Sequence, residues 1–204
     1  MATFDALGEL NERFSNVSIS GGAAAAAGPS NSSQKRSPVD EFFSQHANSP
    51  GSKFTYNRDA KLNIRETFDV LVKAQKWKRK KRMSEKERFF EAIDSEFTTR
   101  VGDGDKLQTW QRLVVMFGSK DPVPTSITKC KKILAEYYIN IYDFLDYCRQ
   151  MGIDEDSGSS GDLSSLDKGS LQNLRYYSKS KHLLYPLDLA RGTVLKAFLV
   201  HMFG

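Results

Sequence analysis

No stretch of useful length in this chain alternates apolar with polar residues; its apolar side chains recur instead at three- and four-residue intervals, the period of one face of an α-helix. That spacing argues against a sheet and for an all-α body. From Asn63, with Glu66 in the capping-box position, Ile64, Phe68, Leu71 and Val72 form a one-sided stripe running toward Trp77. Ser84 and Glu87 repeat the box, and Phe89, Phe90, Ile93 and Phe97 follow as a second stripe, so the break between the two helices is expected at Arg82 to Ser84. Leu107, Trp110, Val114 and Phe117 define a third helix closed by Gly118. After the loop SKDPVP, Ser126 caps a long fourth helix carrying Ile127, Cys130, Leu134, Tyr137, Ile141, Leu145 and Cys148 up to Gly152, read as continuous although Tyr138, Ile139, Asn140 and Ile141 could kink or split it. Leu171 and Leu174 open another through Tyr177, Pro186 interrupts, and Val194, Leu195, Phe198, Leu199 and Met202 make a last one. The expectation is five or six helices in one bundle-like domain.

Composition divides the chain unevenly. Residues 1–52 hold GGAAAAAGPSNSSQKRSP and few core-forming side chains apart from Val39, Phe42 and Phe43, so they read as a mostly disordered leader with one hydrophobic anchor, and 53–204 as the helical domain. Phe4, Leu7, Leu10 and Phe14 share helical spacing near the start, where Asp5, Glu9 and Glu12 argue against a mitochondrial presequence. The run GIDEDSGSSGDLSSLDKGS, residues 152–170, reads as a flexible acidic loop. Cys130 and Cys148, on one helix eighteen residues apart, would stand about 27 Å from each other. A disulfide needs Cα atoms within about 7 Å, so reduced thiols and a nuclear or cytoplasmic setting are expected. No secretory signal or membrane-spanning run is visible.

Charge is concentrated in one place. Between Lys73 and Arg88 nine cations face two carboxylates, a local +7, whereas the whole chain is +5, so the remainder sums to −2. The candidate binding residues are Trp77, Lys78, Arg79, Lys80, Lys81 and Arg82. Cations with an aromatic ring suit contact with nucleic acid or an acidic protein, and the same KRKKR, with Lys35 and Arg36 upstream, reads as a nuclear-localisation element. Alternatively, part of the run closes a helix whose negative end it complements, with Trp77 tucked into the core.

Nothing in the chain asks for catalysis. His46, His182 and His201 lie in separate segments without metal-ligand spacing, and no metal or cofactor is expected. Ser126-Ile127-Thr128-Lys129 has the S-x-x-K spacing of penicillin-recognising enzymes without its companion motifs, and reads as a helix cap. Asp154 and Asp156 begin a calcium-loop pattern that lacks its Gly and its terminal Glu. No glycine-rich phosphate cradle is present. Asp143 with Asp146, and Glu91 with Asp94, read as solvated helix faces. The expectation is a non-enzymatic helical interaction protein. The alternatives are a nuclear DNA- or RNA-binding regulator and an enzyme whose site assembles only in three dimensions.

The stretches LQTWQRL, PTSITKCKKIL, NIYDFLD and YPLDLARG, following FFSQ and FTYN, resemble a fungal-specific family of uncharacterised helical proteins over about Val39 to the C-terminus. That resemblance implies no reaction, cofactor or catalytic residue. Trp110, Val114, Phe117-Gly118, Ser126-Ile127-Thr128 and Tyr138 are also similar in order to the later helices of the AT-rich interaction domain, which implies DNA binding, although here the basic run precedes the matching part.

Overall fold

The aromatic residues that punctuate the first half of the domain meet in one place. Phe68 stacks on Phe89 at 4.3 Å between ring centroids, and Phe42 and Phe43 pack on Phe89 at 5.6 and 5.9 Å. The computed structural model describes residues 37–60, 62–118, 122–153, 162–190, 194–196 and 199. Its α-helices are α1 Pro38–Ala47, α2 Ile64–Gln75, α3 Arg79–Val101, α4 Leu107–Met116, α5 Ile127–Leu134, α6 Ile141–Met151 and α7 Leu171–Ser180, with 3-10 turns at Ser164–Leu166 and Leu187–Leu189. The described residues contain no strand and form a compact all-helical domain. α1 lies on α3, α2 and α3 both reach α6, and α5 packs on α4.

Where capping chemistry and apolar period agree, the helices start and stop as expected. Asn63 and Glu66 form a reciprocal capping box on α2, Ser126 caps α5, and Gly118 ends α4 at φ +74°.

Four boundaries differ from the sequence reading. Residues 38–47 belong to the folded body, because Ser37 caps α1 and Val39, Phe42 and Phe43 are buried; the leader expectation for residues 1–36 lies outside the described residues. The helix expected from Ser126 to Gly152 is two helices, since Asn140, itself buried, caps α6 by accepting from the Tyr142 N–H at 2.9 Å. Its amide donates to Ser178 Oγ at 2.8 Å and to the Leu183 carbonyl at 3.0 Å, which fixes the chain reversal. Cys130 and Cys148 are therefore on different helices, both buried and free; burial pushes the Cys148 thiol up to about 12. The loop 152–170 is pinned in its second half: the Leu163 N–H donates to the Met116 carbonyl and the Lys168 N–H to the Tyr138 carbonyl, both at 2.9 Å. Residues 154–161, including the calcium-loop pattern, lie outside the described residues, as does most of the helix expected from Val194 to Met202. The fourth difference concerns the basic run.

Candidate functional site

α3 does not begin at Ser84. It begins six residues earlier, with Lys78 as N-cap, and runs unbroken through Arg82 to Ser84. α2 ends instead at Lys76, which adopts the left-handed conformation at φ 49°, and Trp77 bridges the two helices. The reason is Glu85. Its side chain is 1% exposed and lies one turn before Phe89 on the buried stripe of α3, so the helix must extend backwards to hold it. Lys81 Nζ stands 2.5 Å from Glu85 Oε1 one turn earlier, Arg88 Nη1 donates to Oε2 at 2.9 Å, and His46 Nε2 of α1 lies 3.1 Å from the same oxygen. Burial alone would raise the Glu85 carboxyl, but these neighbours outweigh it and hold it below its ordinary value. Burial, against the pull of Glu85, lowers His46.

The cations consequently sit at the opposite end of a helix from the one the sequence suggested. Lys78, Arg79, Lys80 and Arg82 are exposed, and among the described residues they make no ion pair; Lys81 alone of the five is matched by a carboxylate. Lys78 offers no side-chain cap, and the first α3 backbone bond runs from the Arg82 N–H to the Lys78 carbonyl at 2.9 Å. The N–H groups of Arg79, Lys80 and Lys81 thus point outward at the positive end of the helix dipole, beneath four cations. Trp77 is half-buried and packs edge-on against His46 at 5.2 Å, and Phe42 also packs edge-on against that imidazole at 4.8 Å. The ring thus fastens the base of the basic face to α1.

A second polar cluster escaped sequence reasoning. Asp40 accepts from the Tyr56 hydroxyl and from Arg149 Nη2, with Arg58 Nε at 3.4 Å from its second oxygen. Arg149 Nη2 also donates to Tyr56 Oη at 2.9 Å. Arg58, Arg149 and Asp146, with Asp59, Leu62 and Gln150, line a cleft of about 370 Å³. Asp146, expected on a solvated face, accepts from the Ile64 N–H at 3.1 Å and so ties α6 to the first turn of α2. Its neighbour Asp143 accepts from the Tyr177 hydroxyl at 3.0 Å and pairs with Lys168 at 2.9 Å. Arg58, Arg149 and Asp146 are thereby engaged in joining α1, the segment after it, α2 and α6.

Burial pushes Asp146 up to about 7, against the hydrogen bond from Ile64 and the field of Arg149. Because that folded value lies above the ordinary 3.8, the stability the group brings is complete below about pH 3.8 and lost as pH rises toward about 7. Asp146→Asn retains an oxygen for the Ile64 N–H and removes the titration. Wild type is expected to lose stability relative to this variant across that window, measured as the difference between urea midpoints; a constant difference would place the carboxylate in water.

Among the described residues no three metal-ligating side chains converge, and no helix is long and apolar enough to cross a membrane. No family model, curated protein or solved structure matches the chain.

Proposed function

We propose that the chain is a non-enzymatic interaction protein of the nucleus or cytoplasm that docks an acidic partner, a protein segment or a nucleic acid, on the first turns of α3. The observation that supports this reading is the uncompensated charge: four exposed cations, without carboxylate partners among the described residues, stand over three outward-pointing N–H groups. Cations at a helix N-terminus cost about 0.3 to 1 kcal/mol each. A face held against its own electrostatics is better accounted for by a ligand than by stability. With Trp77 engaged by His46, the contact relies on charge rather than on base stacking.

Binding to a short duplex DNA, followed against salt, tests the reading. Four phosphate contacts give a log–log slope of about −3 to −4. The triple variant Arg79→Gln/Lys80→Gln/Arg82→Gln is expected to bring it to about −1, with a melting midpoint equal to or slightly above that of wild type. Poly-glutamate as a second probe separates the two partner classes, since it binds alone if the partner is an acidic protein. Salt-insensitive binding to both probes, or a midpoint many degrees lower in the variant, would remove the basic face as a site.

A further inference from the structure

Ser84 carries the S-x-x-E pattern of a helix start, yet the helix passes through it. Its side chain is exposed and makes no hydrogen bond among the described residues. We propose that Ser84 is a phosphorylation site for a protein kinase with an acidic peptide groove, and that the phosphate switches off the basic face. The regulatory half of this inference rests on the docking reading above; the modification itself does not.

Three observations converge on Ser84. It follows Arg79, Lys80, Lys81 and Arg82, which stand two to five residues before the hydroxyl, where a groove lined with carboxylates engages an extended substrate. The chain can become extended there, because Arg79 to Ser84 are all exposed, the N-cap provides no side-chain bond, and cations oppose the dipole, so opening this segment sacrifices no apolar burial and gives up one ion pair, Lys81 with Glu85, whose carboxylate keeps Arg88 and His46. Opening also has a natural limit. With the first turns released, Ser84 and Glu87 form a capping box, and the buried Glu85 and Phe89 keep the remainder of α3 in place.

The chemistry is a phosphoryl transfer from a nucleoside triphosphate. Ser84 Oγ forms a bond to the γ-phosphorus, the bond to the β,γ-bridging oxygen breaks, the hydroxyl proton passes to the kinase's base, and the nucleoside diphosphate leaves. No redox partner is needed. The product adds about −1.5 to −2 of charge at neutral pH. On the helix, residues three and four away are neighbours, so the phosphate faces Lys80, Lys81 and Arg88, with Glu87 as the one opposing carboxylate. Of these, Lys80 is one of the unmatched cations of the docking face, so the added negative charge weakens that face and quiets the repulsion at the start of α3, while Lys81 and Arg88 are shared with Glu85.

The full-length chain, incubated with ATP and the catalytic subunit of a cyclic-AMP-dependent kinase, is expected to take phosphate at Ser84. Labelling should disappear in Ser84→Ala and fall sharply in Lys81→Gln/Arg82→Gln. Two readouts follow on the modified protein. Hydrogen exchange at the amides of Arg82 and Met83, the first that the helix bonds, should slow, a measurement that needs no ligand. The salt slope on duplex DNA should lose about 1.5 to 2 in magnitude, with affinity about tenfold to a hundredfold weaker at 0.1 M salt, while unmodified Ser84→Ala binds as wild type does. Labelling that persists in Ser84→Ala, or exchange that is unchanged or faster, overturns the site. An unaltered slope in the phosphorylated protein overturns the switch. If the unmodified chain binds neither DNA nor poly-glutamate, the docking reading fails and the switch with it, and labelling and exchange alone decide the modification.

Discussion

Replacing Arg100 with Met is expected to cost about 3 to 5 kcal/mol of unfolding free energy, because it strands a carboxylate inside the protein. Glu96 is completely buried. Arg100 reaches it from the next turn of α3 through Nε and Nη2, both 2.9 Å from Oε1, and spends Nη1 on the Ile153 carbonyl at 2.8 Å. The other carboxylate oxygen accepts from the Val39 N–H at 3.3 Å, in the first turn of α1. Without the guanidinium, the carboxylate keeps the Val39 N–H and the field of Arg149, and loses the cation that bonds it directly. The double replacement Glu96→Leu/Arg100→Met should be the milder change: it removes the charge altogether and orphans only two backbone groups, each worth roughly 1 kcal/mol. Chemical denaturation of both variants measures the difference. A single variant that loses under 1 kcal/mol, or a double that falls as far as the single, would mean that water reaches Glu96.

The same pair shows why parts of the fold were hidden in the sequence. Helix starts written in local chemistry were legible: Asn63 with Glu66, and Ser126, act within four residues of themselves. Polar residues buried by distant partners were not. Glu96 answers to a residue 57 positions away, Asp146 to one 82 away, and Asn140 to one 38 away. By residue type each reads as surface, and nothing nearby says otherwise. The break between α5 and α6 follows from Asn140 in this way, and the packing of α1 from Phe42 and Phe43, whose polar, Ser-rich surroundings resemble a linker.

The basic face was legible as composition and illegible as geometry. Lys78 to Arg82 stand out in any charge count, but whether they end one helix or begin the next turns on Glu85, a carboxylate buried beside His46 of α1. Ser84 competes as a local start signal and loses in the folded state, because starting there would forfeit the contact between Lys81 and Glu85. The placement reverses the electrostatic meaning of the run, from cations that complement a dipole to cations that oppose it. Trp77 was expected either to stack on a ligand or to enter the core; the structure gives it an intermediate place, half-buried against His46.

Trp110→Ala should rank with Arg100→Met in damage, at about 3 to 5 kcal/mol, for a reason that is almost wholly apolar. The indole is 1% exposed and stands on α4 where that helix meets α5. Its Nε1–H donates to the Gly104 carbonyl at 2.7 Å, securing the turn between α3 and α4, and Lys131 of α5 lies over the ring at 4.8 Å. Truncation opens a cavity, orphans the Gly104 carbonyl and removes the platform under Lys131. Two partial variants apportion these losses. Trp110→Phe keeps much of the volume and forfeits the hydrogen bond, for about 1 to 2 kcal/mol. Lys131→Ala forfeits only a contact at the surface, for about 0.5 to 1 kcal/mol. If Trp110→Phe proves as costly as Trp110→Ala, the bond to Gly104 rather than packing holds the turn, and α4 owes its position to one carbonyl. If Trp110→Ala costs less than 2 kcal/mol, the α4 and α5 pair closes over the gap and is not a rigid part of the core.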